Sequence, residues 1–205
     1  MAKYSIKFDG QHSDEIVLYT VHEHPIVVMA SYIKVALAAG VALISTMIAA
    51  GVLPDYSGLI MGFGWLLTFI IGAGGAWVVH SGEDKNVAYI TDRRIVRFHA
   101  SSPFTVNTRA LAWDEAVKVK TYSPNFIWRT MNVGTVVVHA KSTVLTTQET
   151  RDKNAVTDDD VEIDNVYYYR DLGNYIDKLL YLNRSDRKKL KEVKPFVPKP
   201  RGKRD

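Results

Sequence analysis

Two stretches, VALAAGVALISTMIAAGVL at 35–53 and LIMGFGWLLTFIIGAGGAWVV at 59–79, govern the reading of the whole chain. The first has 19 residues whose side-chain polarity is confined to Ser45 and Thr46, and the second has 21 with Thr68 as its one hydroxyl. At about 1.5 Å of rise per residue, helices of these lengths approach the ~30 Å hydrocarbon thickness of a bilayer. Hardly any hydrophilic face can be drawn on either, which argues against a pair of core helices in a soluble protein. Pro25 suits a first helical turn and Ile26 to Ile33 is largely apolar, so the first helix is expected over 25–53, with Lys34 extending its amine toward the headgroups. Pro54-Asp55-Tyr56-Ser57-Gly58 has turn chemistry and joins it to a second helix at 59–79. The expectation is a two-helix transmembrane hairpin over 25–80.

Charge is distributed accordingly. Between Val35 and Val79 there is no Lys or Arg and one carboxylate, Asp55, whereas 23 of the 26 Lys and Arg and 17 of the 22 Asp and Glu follow His80. What remains after His80 is 125 residues, enough for one compact core. The absence of cysteine excludes a disulfide scaffold, a Cys zinc finger, an iron–sulfur cluster and a thiol enzyme. The segment before the first span, 1–24, is too long and too acidic for the n-region of a signal peptide, so the first helix is expected to stay in the protein as part of a multi-pass chain. The connector carries no Lys or Arg, the N-terminal flank offers Lys3, Lys7 and Lys34, and the C-terminal flank offers Lys85, Arg93, Arg94 and Arg97. The bias predicts both termini on the cytoplasmic side of the inner membrane. Small residues, Gly58 and Gly62, Ala38 and Ala42, and Gly72, Gly74 and Gly75, permit close helix approach, within the hairpin or in a homo-oligomer.

From Asn86 onward the pattern changes to short alternating or β-branched runs. Val87 to Thr91 and Ile95 to His99 read as a hairpin around Asp92-Arg93-Arg94, and Thr108 to Trp113, Ala116 to Tyr122, Thr135 to Ala140, Thr143 to Thr146 and Val161 to Tyr169 supply five further strands. Val117, Val119 and Thr121 alternate with Lys118 and Lys120, as in a strand with one buried and one wet face, and an antiparallel sheet is expected. Leu172, Tyr175, Ile176, Leu179, Leu180 and Leu182 then follow amphipathic-helix spacing, with Asp171 near the N-terminus. The fold class expected for 81–183 is a mainly β, seven-stranded barrel or sandwich capped by a C-terminal helix.

Three ordered segments add a resemblance. Tyr89-Ile90-Thr91-Asp92-Arg93-Arg94-Ile95-Val96, Trp113-Asp114-Glu115-Ala116-Val117 and Met131-Asn132-Val133-Gly134-Thr135-Val136-Val137-Val138 resemble the membrane-associated bacterial pleckstrin homology (PH) domain family, and Asp14 to Tyr19 with His22 to Pro25 is similar to that family's lead-in to its first span. The resemblance implies a PH-like domain held at a membrane. The chain departs from the family in a carboxylate-rich insertion at 148–160 and in the absence of a second domain copy, which puts in doubt any partner surface built by paired domains.

Arg93, Arg94 and Arg97 are candidates for contact with anionic headgroups, where each cation near the surface contributes on the order of 1 kcal/mol. The alternative is a turn whose arginines pair with Asp92, Glu83 or Asp84. The tail from Asn183 carries ten Lys and Arg against three carboxylates, and its Lys188, Lys189 and Lys191 join the lipid-contact candidates. Pro195, Pro198 and Pro200 suggest a disordered segment over 184–205, and with Phe196 as its only aromatic a nucleic-acid partner is disfavoured. His22-Glu23-His24 lacks the further ligands of a metal site, and the run Asp158, Asp159, Asp160, Glu162 and Asp164 lacks the glycine of a calcium loop. No nucleophile elbow, phosphate-binding glycine loop or zinc-protease helix occurs, and the spans hold no ionisable residue beyond the edge-lying Lys34. No catalytic residue, cofactor or metal is expected. The functional expectation is a membrane-anchored binding or assembly module that takes a protein partner, for instance by strand addition to a sheet edge, with an anionic-lipid sensor as the alternative.

Overall fold

The computed structural model describes residues 7–142 and 159–198. Its strands are β1 (Val17–His22), β2 (Val87–Thr91), β3 (Arg94–Ser102), β4 (Thr105–Ala112), β5 (Ala116–Tyr122), β6 (Val133–Ala140) and β7 (Val161–Tyr167). The helices are α1 (Pro25–Val52), α2 (Ser57–Phe69), α3 (Gly75–Glu83), α4 (Phe126–Thr130) and α5 (Tyr169–Ser185). The chain divides into two units, one of residues 25–85 with 100–105, the other of the residues up to His24, Asn86–His99 and those from Val106 on.

In the helical unit, α1 is followed by a tight 3-10 turn, Pro54–Tyr56, and the helix resumes at Ser57, two residues earlier than the sequence suggests. A π-helical turn at Ile70–Gly74 links α2 to α3, which runs on to Glu83. Over 25–52 and 54–83 the helices are long and apolar enough to cross a membrane, and Leu37, Val41, Ile48, Phe63 and Phe69 are all more than 60% exposed. That exposure distinguishes them from core helices, whose large apolar side chains are covered. Close approach falls on Gly75, one of the small residues expected to allow it, and on Gly64, which was not among them. A Cβ on Gly64 would stand 1.9 Å from Thr46 Cγ2 and one on Gly75 would stand 2.7 Å from Val35 Cγ1, whereas Gly58, Gly62 and Gly74 have nothing within 4 Å. A spacing of four selects a helix face but not which face meets the neighbour. The tip of the β3–β4 hairpin belongs to this unit, where Phe104 packs on Trp77 at 5.7 Å between ring centroids and the Lys85 amine donates to the Pro103 carbonyl.

The β unit contains two antiparallel sheets, one in the order β1-β2-β3-β4 and one in the order β5-β6-β7. Its core gathers Ile90, Ile95, Val136, Val138 and Val161 from the strands and Trp113 from the β4–β5 turn with Leu172, Ile176 and Leu179 from α5. The helix meets the sheet closely because Gly173 carries no Cβ; one placed there would stand 2.3 Å from Thr121 Cγ2. Gly134 serves likewise, its missing Cβ leaving room for the Tyr122 carbonyl and the Tyr169 ring. Tyr168, at φ 52°, turns the chain from β7 into α5.

Three expectations need correction. The segment before the first span is not separate from the β domain: β1 pairs antiparallel with β2, from Val17 opposite Thr91 to His22 opposite Val87. Residues 23–86 are thus an insertion between two neighbouring strands. The disordered tail expected from 184 is ordered through Phe196: α5 ends at Ser185, Arg187–Glu192 forms a 3-10 helix, and Leu190 and Phe196 are buried in the core with Val193 packed against it. A spacing of three puts those apolar residues on one side of a lysine-rich stretch, which the charge count obscures. The last strand stops at Tyr167, and Tyr169 opens the helix. The strand expected at 143–146 and the insertion up to 158 lie outside the described residues, as do 199–205.

Candidate functional site

The β2–β3 turn is densely hydrogen-bonded. Thr91 Oγ1 donates to Glu15 Oε1 at 2.8 Å and accepts from the Arg93 and Arg94 amides at 3.1 and 3.0 Å. Arg94 grips Glu15 with two bonds, Nε to Oε1 and Nη2 to Oε2, each 3.0 Å, and also donates to the Gly10 carbonyl. Asp92 accepts from the Ile16 amide at 2.9 Å, and its own amide donates back to the Ile16 carbonyl. Trp113, buried, donates from Nε1 to the Thr91 carbonyl at 3.0 Å. Burial acts to raise the Glu15 carboxyl; the bonds from Arg94, Thr91 and the His12 amide, with the Arg94 charge, outweigh it and hold the group below its ordinary value.

The three arginines proposed for headgroup contact are therefore engaged within the chain. Arg93 pairs with Asp14, Arg94 with Glu15, and Arg97 with Asp164 at 2.8 Å and with the Glu162 carbonyl. Pairing was foreseeable, but the partners are not Asp92, Glu83 or Asp84. They lie on β7 and in the segment before β1, which only the fold brings near. Lys189 pairs with Asp186 at 3.3 Å, Lys191 is exposed, and the Lys188 side chain is outside the description. Between α5 and the segment beyond it runs an open groove of roughly 800 Å³ edged by Lys178, Lys189 and Lys194 as well as Asp171 and Glu192. Its mixed signs fit no single ionic ligand. Tyr175, whose hydroxyl donates to the Lys194 carbonyl, is pushed up to about 12 by burial.

The acidic run from Asp159 on is also distributed among separate partners, Asp158 lying outside the described residues. Asp160, fully buried, accepts from the Ala140 amide at 2.9 Å and stands 3.0 Å from His139 Nδ1; Asp159 accepts from Ser142 Oγ. Glu162 accepts from the Tyr122 hydroxyl at 2.6 Å, and this bond, with burial and the nearby carboxylate charges, pushes Tyr122 up to about 12. These bonds tie β7 to β5 across the sheet and hold the two residues before β7 against the end of β6 and Ser142. Among the described residues no three His, Asp or Glu side chains gather as metal ligands, and His24 packs its ring on Tyr167.

Sequence reasoning missed two features. One is β1, whose strand partner is about 70 residues away in the chain. The other is α4, a five-residue helix capped by the Asn125 side chain, on which Phe126 and Ile127 are 80% and 68% exposed. The run Phe126-Ile127-Trp128 was visible as apolar residues in a turn-like context, but too short to read as an element. Comparison with protein-family models, curated proteins and solved structures finds no match for this chain.

Proposed function

We propose that the protein is a two-span inner-membrane protein whose β unit, a PH-like domain, acts on the cytoplasmic side as a non-catalytic binding or assembly module. The observation that carries this reading is the insertion of the helical hairpin between β1 and β2. Because β1 and β2 share backbone hydrogen bonds, both ends of the insertion must emerge on one side of any bilayer, as an even number of spans requires. Lys and Arg on both flanks and none in the connector favour the cytoplasm for that side. A four-stranded and a three-stranded antiparallel sheet closed by a C-terminal helix support the PH-like reading. β4 ends the first sheet, with Thr105 to Ala110 exposed, and is the edge on which a partner strand would be added.

The anionic-lipid reading rests on the exposed tail cations, since Arg93, Arg94 and Arg97 are neutralised by intramolecular carboxylates. Protease treatment of sealed inside-out and right-side-out vesicles tests the main reading. Digestion of the β unit in inside-out vesicles alone is the expected result, and digestion in right-side-out vesicles alone rejects it. Crosslinking and capture from native membranes in mild detergent then identifies the partner; a protein that depends on an unaltered β4 edge is expected.

A further inference from the structure

The loop between β5 and β6 is an exposed and largely apolar turn of the β unit. Among its ten residues, Ser123 to Asn132, Arg129 is the one charged side chain, and Phe126 and Ile127 are exposed while Trp128 is half-buried. An exposed cluster of this kind costs free energy in water and marks a contact with an apolar partner.

The identity of that partner follows from where the loop sits within the β unit. Val133, which follows the loop, pairs with Tyr167 at the end of β7, and the Tyr168 amide donates to the Asn132 carbonyl at 2.9 Å. The same end of β7 receives His24, whose amide donates to the Asn165 carbonyl at 2.8 Å and whose ring packs on Tyr167 at 5.2 Å. His24 immediately precedes Pro25, the first residue of α1. The apolar loop thus lies at the pole from which the chain departs into the first candidate span. Aromatics concentrate at this pole, since Tyr122 and Tyr167 are about two-fifths exposed in addition to Phe126. Tyr and Trp rings are favoured at bilayer interfaces, and an Arg beside them can extend its guanidinium to the headgroups.

We infer that the β5–β6 loop is a membrane-insertion element, with Phe126 and Ile127 entering the boundary between headgroups and acyl chains and Arg129 meeting lipid phosphates. This rests on the reading of the hairpin as membrane-spanning. The loop would set the distance and tilt of the β unit at the bilayer, and it would contact lipid without using the paired arginines of the β2–β3 turn.

The chain has no cysteine, so single-cysteine spin labels report unambiguously. I127C, M47C and L37C within α1, and K118C on β5 are placed one at a time in the full-length protein and reconstituted in phosphatidylcholine–phosphatidylglycerol vesicles. Collision with oxygen is compared with collision with a water-soluble nickel complex. All four positions except Lys118 are strongly exposed apolar sites, and Lys118 is an exposed strand position, so the labels leave the fold intact. The expected result is a high oxygen-to-nickel ratio at 127, closer to those at 37 and 47 than to that at 118. A ratio at 127 equal to that at 118, with 37 and 47 in lipid, overturns the insertion and leaves the hairpin reading standing. Nickel access at 37 and 47 removes the hairpin reading, and the insertion with it. Spin–spin broadening at 127 that disappears on dilution with unlabelled protein assigns the loop to a contact between copies and overturns the proposal.

Discussion

Truncating Arg94 leaves the Glu15 carboxylate, whose side chain is fully covered, without its counter-ion, whereas truncating Glu15 leaves a guanidinium that already reaches water. R94A is therefore expected to destabilise the β unit by about 3 kcal/mol, the magnitude typical of an orphaned buried charge, and E15A by less. R93A, which removes a pair between exposed groups, should change stability by roughly 0–1 kcal/mol. Denaturant titration of the three variants in one detergent checks the order. Since folding lowers the Glu15 pKa, its contribution is present above the unfolded value of about 4.3 and is lost as pH falls through the folded one. The E15Q protein should thus lose less stability on acidification than the wild type. Tyr122 titrates with the opposite sense: its folded value of about 12 exceeds the unfolded value of about 10, so its contribution holds below pH ~10 and is lost as pH rises toward ~12. Y122F should flatten the alkaline limb of a melting-temperature profile. Carboxylates at 14, 15 and 164 were legible as charged residues, but their pairing with Arg93, Arg94 and Arg97 was not, because the partners are separated by 67 to 79 positions.

Among the elements, the contact of α5 with β5 is set by Gly173 and Thr121. G173A should destabilise by about 1–3 kcal/mol through overpacking against a β-branched side chain that has few rotamers to escape into. The double variant G173A/T121A should recover part of that loss, and a double-mutant cycle would give a positive coupling. In the hairpin, G64A should lower thermal stability in detergent and G58A should not, since only the first meets the neighbouring helix. Periodicity located α5 and β5 closely, because α5 has one buried face throughout and the alternation of β-branched residues with lysines marks β5 even though its side chains beyond Ala116 are at most half-buried. It placed β3 and β4 too short, because β4 is exposed on both faces from Thr105 to Ala110 and the distal half of β3, His99 to Ser102, is built of small or polar residues that are at most half-buried. It missed β1, in which Val17, Leu18, Tyr19, Thr20 and Val21 form a mixed run without clean alternation.

For the molecule as a whole, the insertion of the hairpin makes the β unit discontinuous in sequence. A fragment beginning at Asn86 lacks β1, and with it the buried Leu18, Val21 and Glu15, so it is expected to be poorly folded and aggregation-prone. Replacing residues 24–85 by a short turn that joins β1 to β2 should instead give a soluble protein with cooperative unfolding, because His22 and Val87 already stand opposite one another. Gel filtration and circular dichroism on the two proteins separate these outcomes. Equal behaviour of the two would mean that β1 contributes little to the core.

Local sequence pattern was sufficient for the two apolar helices, the β-rich remainder and the amphipathic C-terminal helix, since each is specified by residues close together in the chain. Position in three dimensions was needed for everything that joins distant parts of the chain: β1 beside β2, the three arginines against their carboxylates, the lysine-rich segment seated on the core through Leu190 and Phe196, and the apolar β5–β6 loop at the end of β7 that receives His24. Hydrophobic periodicity reports whether a side chain is covered; which segment covers it depends on chain closure over tens of residues, and no local pattern encodes that.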